Sequence, residues 1–131
     1  MDTLTTLHSF WRYAVLIAAV VAVVGAAAGW LGALPPRLAA RRSGLVYVIA
    51  LDIQLLIGIV LWLLMGSTVP MPFRAEHPVT MILAAAAAHL GQVMSRRAAS
   101  PKSAALVTLI GVVISLVLVV VGIMRVPVRI G

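Results

Sequence analysis

The 131-residue sequence predicts an all-α integral membrane fold: one domain over residues 1–131, built as an antiparallel up-down-up-down bundle of four transmembrane helices. The composition is the first ground, since 63% of the residues are apolar and 10% charged, against roughly 45–50% and about 25% in a soluble domain. The second is a set of four apolar runs, each near the roughly 20 residues that cross a hydrocarbon core about 30 Å thick. The third is that proline-bearing connections separate the runs. Nothing alternates with period two, which excludes a barrel, and short connections set sequence neighbours antiparallel.

The first span is expected from His8 to Leu31 and the second from Gly44 to Gly66, joined by Gly32 to Ser43 with its Pro35-Pro36 pair. The third is expected over Pro78 to Ser95, after Ser67 to His77 with Pro70 and Pro72, and the fourth over Ser103 to Met124, after a turn containing Pro101. Each proline lacks a backbone donor and disfavours helix just before it, so each connection carries its own breaker. Small residues (Gly25 with Gly29, Ala84 to Ala88, Gly111 with Ser115) are read as places where helix backbones approach closely.

Six of the ten cations, Arg37, Arg41, Arg42, Arg96, Arg97 and Lys102, fall in the first and third connections. Arg12, Arg74, Arg125 and Arg129 fall at the other end, offset by Asp2 and Glu76. The positive-inside rule then makes the Arg-rich turns cytoplasmic and both termini external. The formal charge of +7 is therefore read as topology and lipid headgroups, with no nucleic-acid partner. An acid and three threonines occupy Met1 to Leu7, where a cleavable leader would be cationic, so the first span is expected to stay in the mature chain. With no cysteine, any metal or cofactor must rest on histidine, carboxylate, methionine or packing.

Ionisable residues inside a membrane are costly, roughly 2.5–3.5 kcal/mol for an aspartate at a helix centre, and are the first candidates for function. Asp52 lies about 12 Å from the cytoplasmic start of span two and His89 about 9 Å from the cytoplasmic end of span three. A hydrogen bond or ion pair between them is predicted, either as a structural clasp or as a proton or quinone site. Gln54 is about 200° round the helix from Asp52, on the face of Tyr47 and Gly58. With two polar faces, span two is expected to be the most enclosed. Span four, without an ionisable group, is expected to face lipid or an oligomer contact.

At the outer end His8 and Arg12 share a face of span one. Pro78 is expected at the first helical position of span three, which puts His77 near the cap and Glu76 against the positive helix end. His8 and His77 then sit at similar depth. Two imidazoles from different helices are what axial ligation of a b-type haem iron requires, with Arg12 or Arg74 neutralising propionates. His8 with Met124 is the fallback ligand pair. The competing reading is an Arg12–Glu76 ion pair with the histidines hydrogen-bonded at the interface. No H-x-x-x-H, P-loop, G-x-S-x-G or GxGxxG spacing occurs.

Three segments carry a resemblance: Leu7-His8-Ser9-Phe10-Trp11-Arg12-Tyr13, Leu51-Asp52-Ile53-Gln54-Leu55-Leu56-Ile57-Gly58, and Glu76-His77-Pro78-Val79-Thr80-Met81 continuing to Ala88-His89-Leu90-Gly91. Together they resemble a family of small bacterial four-span membrane proteins labelled cytochrome-b-like or uncharacterised. The resemblance implies a multi-pass protein of the bacterial cytoplasmic (inner) membrane that binds haem or serves a respiratory or photosynthetic electron-transfer assembly. Three functions follow as expectations. One is a membrane subunit holding one haem b or a quinone in such an assembly. Another is a structural or accessory bundle, without cofactor, in a larger membrane complex or homo-oligomer. The last is a small transporter or proton channel. A stand-alone enzyme is not favoured, because little chain lies outside the bilayer to shape a pocket.

Overall fold

The computed structural model describes residues 2–124 and, within them, is helical without strands. Helix α1 spans Asp2–Trp30, α2 Pro36–Met65, α3 Phe73–Arg96 and α4 Pro101–Met124, with one turn of 3-10 helix at Gly66–Thr68. All four are long and apolar enough to cross a membrane, and a helix is the form that satisfies every backbone polar group within the segment. The chain is a multi-pass membrane protein of the predicted bundle class. Arg125, Arg129 and the side chain of Asp2, which entered the charge count, lie outside the described residues.

The helices begin earlier than the apolar runs suggest, for reasons that lie in their first turns. Pro36 and Pro101 take the first helical position, where a missing N–H costs nothing, so Arg37, Arg41 and Arg42 stand on the opening turns of α2. α3 begins at Phe73, which places Pro78 inside the helix and not at its start. Pro70 and Pro72 supply the carbonyls that take the first amide protons, from Arg74 at 3.2 Å, Ala75 at 3.1 Å and Glu76 at 3.0 Å. Pro78 cannot bond back to the carbonyl of Arg74. The Trp62 indole Nε1–H donates to that oxygen instead, at 2.9 Å. α1 closes at Gly32, whose φ of 85° is costly for a residue with a Cβ. There Ala33 N–H reaches Ala28 O at 2.8 Å and Gly32 N–H reaches Gly29 O at 3.2 Å, the paired bonds of a Schellman motif.

α1 packs along α2 and α3 along α4, and the hairpins join through α1–α4 and α2–α3 sides. α2 and α4 also meet across the middle, leaving α1 and α3 at the far corners of a rhomb. α4 thus meets all three other helices: Ile110, Val113, Ile114, Val117, Val120 and Val121 leave one sector exposed, as the expected lipid face would be, while Ala104, Ala105, Thr108, Gly111, Val112, Ser115, Val119 and Gly122 are buried. Residues this small bring backbones together where hydrophobicity does not distinguish helix from lipid. The closest crossing is Gly91 against Gly111, where a Cβ on Gly111 would stand 2.9 Å from the Gly91 Cα. On the α1–α2 side, Gly25 meets Ser43 and Gly29 meets Ala39. The two Arg-rich turns share one end of the bundle, where Arg37 Nη2 donates to Ala98 O at 3.4 Å.

Two hydroxyl chains cross the core. Ser115 Oγ donates to Ala84 O at 2.7 Å, so its single proton is committed and the buried Tyr47 O–H is the donor in the 2.7 Å Tyr47–Ser115 bond. Thr108 Oγ1 donates to Ser95 Oγ at 2.9 Å, and Ser95 Oγ donates to Ala104 O at 2.9 Å. Tyr47 is therefore held at a three-helix junction.

Candidate functional site

Towards the end opposite the Arg-rich turns, the bundle opens into a cavity of about 600 Å³, inside the roughly 300–1,000 Å³ range of small-molecule sites. α1 contributes His8 and Arg12, α2 Gln54, Gly58 and Trp62, and α3 Phe73, Arg74, His77 and Met81, with Val119 and Ile123 of α4 at the back. His8 and His77, from the two corner helices, face the same space. Because α1 starts at Asp2, His8 is well inside a helix and its backbone is fixed.

Local packing orients each imidazole. Gly58 lets His8 lie close to α2, since a Cβ there would be 3.1 Å from His8 Cε1. One turn back, Gln54 Nε2–H donates to the His8 carbonyl at 2.8 Å, and Trp11 Nε1–H donates to Ala50 O at 2.7 Å, so α1 is pinned to α2 just inward of the ring. His77 stacks on Phe73 with centroids 5.0 Å apart at 24°. Its other side approaches α4 at Gly122, where a Cβ would lie 3.9 Å from His77 Nδ1.

His8 Nδ1 and Gln54 Oε1 are buried without a hydrogen-bond partner, while the buried His77 Nδ1 turns to the Gly122 backbone. Each such atom costs about 1–3 kcal/mol if nothing answers it. Gln54 Oε1, on the wall of a mostly apolar cavity, fits a site that takes a ligand with a few polar groups. With both Nδ1 atoms sealed, Nε2 is the nitrogen that each ring has to offer.

The two arginines line the same cavity but are differently engaged. Arg12 lies over the Tyr13 ring, 5.0 Å from its centroid, with Nη2 donating to Tyr13 Oη at 3.4 Å. The contacts seen for Arg12 are thus with Tyr13 and not the expected ion pair with Glu76. Glu76 does lie in the first turn of α3, and its carbonyl accepts Thr80 Oγ1–H at 2.7 Å. Arg74 clamps the α2–α3 connection through Nε to Val69 O at 2.8 Å and Nη2 to Ser67 O at 3.1 Å. Met124 is exposed and absent from the cavity wall, so the fallback ligation has no methionine in place.

Asp52 and His89 meet as their depths suggest, with His89 Nε2 2.9 Å from Oδ1 and 2.8 Å from Oδ2. Their setting differs from the expectation. The pair lies on the outer surface of the α2–α3 face, with Asp52 43% and His89 53% exposed, apart from the cavity and from Tyr47. α2 is thus not the most enclosed helix: its inner sector holds Tyr47, Leu51 and Gln54, while Asp52 points out between α2 and α3. Asp52 thus faces the outside of the single bundle.

Sequence reasoning did not single out Trp62, Phe73 or Gly122. Pro78 was the available signal for Trp62, because a mid-helix proline frees a carbonyl four residues back. No cluster of three or more His, Asp or Glu gathers as a metal site among the described residues. Comparison of the chain with protein-family models, curated proteins and solved structures finds no match.

Proposed function

We propose that this chain is a membrane-embedded subunit of an electron-transfer assembly in the bacterial cytoplasmic membrane, with the Arg-rich end inside, and that its cavity holds one b-type haem between His8 and His77. The observation that carries this reading is the convergence of two imidazoles from non-adjacent helices on one apolar cavity of about 600 Å³. Both Nδ1 atoms are buried away from it, which leaves Nε2 as the ligating atom. A haem bound there would supply a one-electron redox centre tuned by its axial ligands and by burial. His8 and His77 would hold the iron, Phe73 and Gly58 position the two rings, and Arg12 and Arg74 would pair with the propionates.

A second reading has its own support. Gln54 Oε1, unpartnered beside His8, is an acceptor with no role in haem ligation but suited to a quinol hydroxyl, so a quinone headgroup is the alternative ligand of the same cavity. The test is the optical spectrum of the detergent-purified protein expressed with ample haem. A reducible Soret band with a sharp α band is expected, at one haem per chain, and lost in His8→Ala and in His77→Ala. A featureless spectrum with quenching of tryptophan fluorescence by a short-chain quinol, weakened in Gln54→Leu, would select the quinone headgroup in its reduced form. Neither signal would leave the accessory bundle.

A further inference from the structure

The Asp52–His89 pair lies outside the cavity, and its position on the bundle raises a separate question. Asp52 is ten residues, about 15 Å, from Arg42 along α2, and His89 is seven residues, about 10 Å, from Arg96 along α3. Both are therefore at hydrocarbon depth on a face where lipid would be the neighbour. Around them the surface is apolar, with Ile49, Ile53 and Leu56 on α2 and Leu83 and Leu90 on α3 exposed. Their mutual bond satisfies part of each group, yet about half of each residue still faces outward, and ionisable groups in membranes face protein or water rather than acyl chains.

We infer that the α2–α3 face is the contact surface of a homodimer in which a second copy of this chain covers the Asp52–His89 pair. Symmetry and charge together single out a second copy. A two-fold axis along the membrane normal keeps every residue at its own depth and turns α2 of one copy towards α3 of the other. Asp52 of each copy then meets His89 of its mate, and the two pairs close into a ring of alternating carboxylate and imidazole. The outward charge pattern is self-complementary under that one operation. The inference does not rest on the haem reading.

The chain has no cysteine, so disulfide mapping in native membranes tests this on an otherwise unaltered protein. Because α2 and α3 run antiparallel, Leu56 and Ala86 lie at one level, about a turn from Asp52 and His89 on the same faces. Leu56→Cys chains co-expressed with differently tagged Ala86→Cys chains should yield a heterotypic disulfide dimer at least about fivefold above Val20→Cys and Val117→Cys, which sit on α1 and α4. Yields equal to those controls, a monomer by subunit counting in bilayers, or linkage only to a different protein would overturn the second-copy assignment. Energy transfer between labelled copies of the Asp52→Leu/His89→Leu double variant should report at least about tenfold weaker association. Unchanged association of a helical, monodisperse variant would also overturn it, and if that variant fails to fold the disulfide map still decides.

Discussion

Gly58 and Gln54 stand one turn apart on α2 and jointly seat His8, one by having no side chain and the other by holding the histidine carbonyl. Gly58→Leu is expected to fill the space beside the ring and cut ligand binding at least about tenfold with helical content unchanged, checked by titration and far-UV circular dichroism. Tyr47 invites a different experiment. Tyr47→Phe removes the donor to Ser115 but leaves Ser115 bonded to Ala84 O, so the loss should be near the roughly 0.6 kcal/mol average of interhelical bonds in membranes, read from the midpoint of denaturation in sodium dodecyl sulfate. Depth arithmetic made the Asp52–His89 contact legible, because 1.5 Å per residue fixes height along a helix. It could not reveal that the pair points outward. Helical periodicity relates residues on one helix but does not say which neighbour occupies each sector, and no spacing records how α2 is turned in the bundle.

Helix identity was legible from apolar length alone, whereas helix limits depended on first-turn chemistry that hydropathy does not weigh. The lack of ionisable groups in α4 read as a lipid face, and one sector is exposed, but its alanines and glycines also bring it against all three other helices, because in lipid closeness of approach decides the packing. At the Gly91–Gly111 crossing the neighbour of an added Cβ is backbone, so nothing flexible can yield. Gly111→Ala should therefore destabilise by about 1–3 kcal/mol, the usual cost of overpacking, measured by the same denaturation. The join of α2 to α3 predicts a coupling. Trp62→Phe should destabilise the native chain by about 1 kcal/mol, as loss of the bond to the Arg74 carbonyl requires. In a Pro78→Ala background, the restored amide can take that carbonyl itself, and Trp62→Phe should then cost much less. Additive effects in this double-mutant cycle would show that proline and indole act independently.

The positive-inside reading of the assembled bundle is open to direct measurement, because the polybasic turns share one end. An Ala99→Cys thiol should react with an impermeant reagent in inverted vesicles and not in intact cells. The class of bundle and the similar depth of His8 and His77 at the end away from the Arg-rich turns could be anticipated, since both follow from span order. The cavity could not: it opens where His8 of α1, Gly58 of α2 and His77 of α3 line one space, and no linear spacing announces that. The rhombic cross-section has a mechanical corollary. α2 and α4 brace each other through the middle, but α1 and α3 lack an equivalent strut, and the two rings stand on these unbraced corners. Whatever spans from one ring to the other would serve as a tie-rod between the hairpins. Its removal should let that end of the bundle breathe, with amide exchange quickening first along the opening turns of α1 and α3.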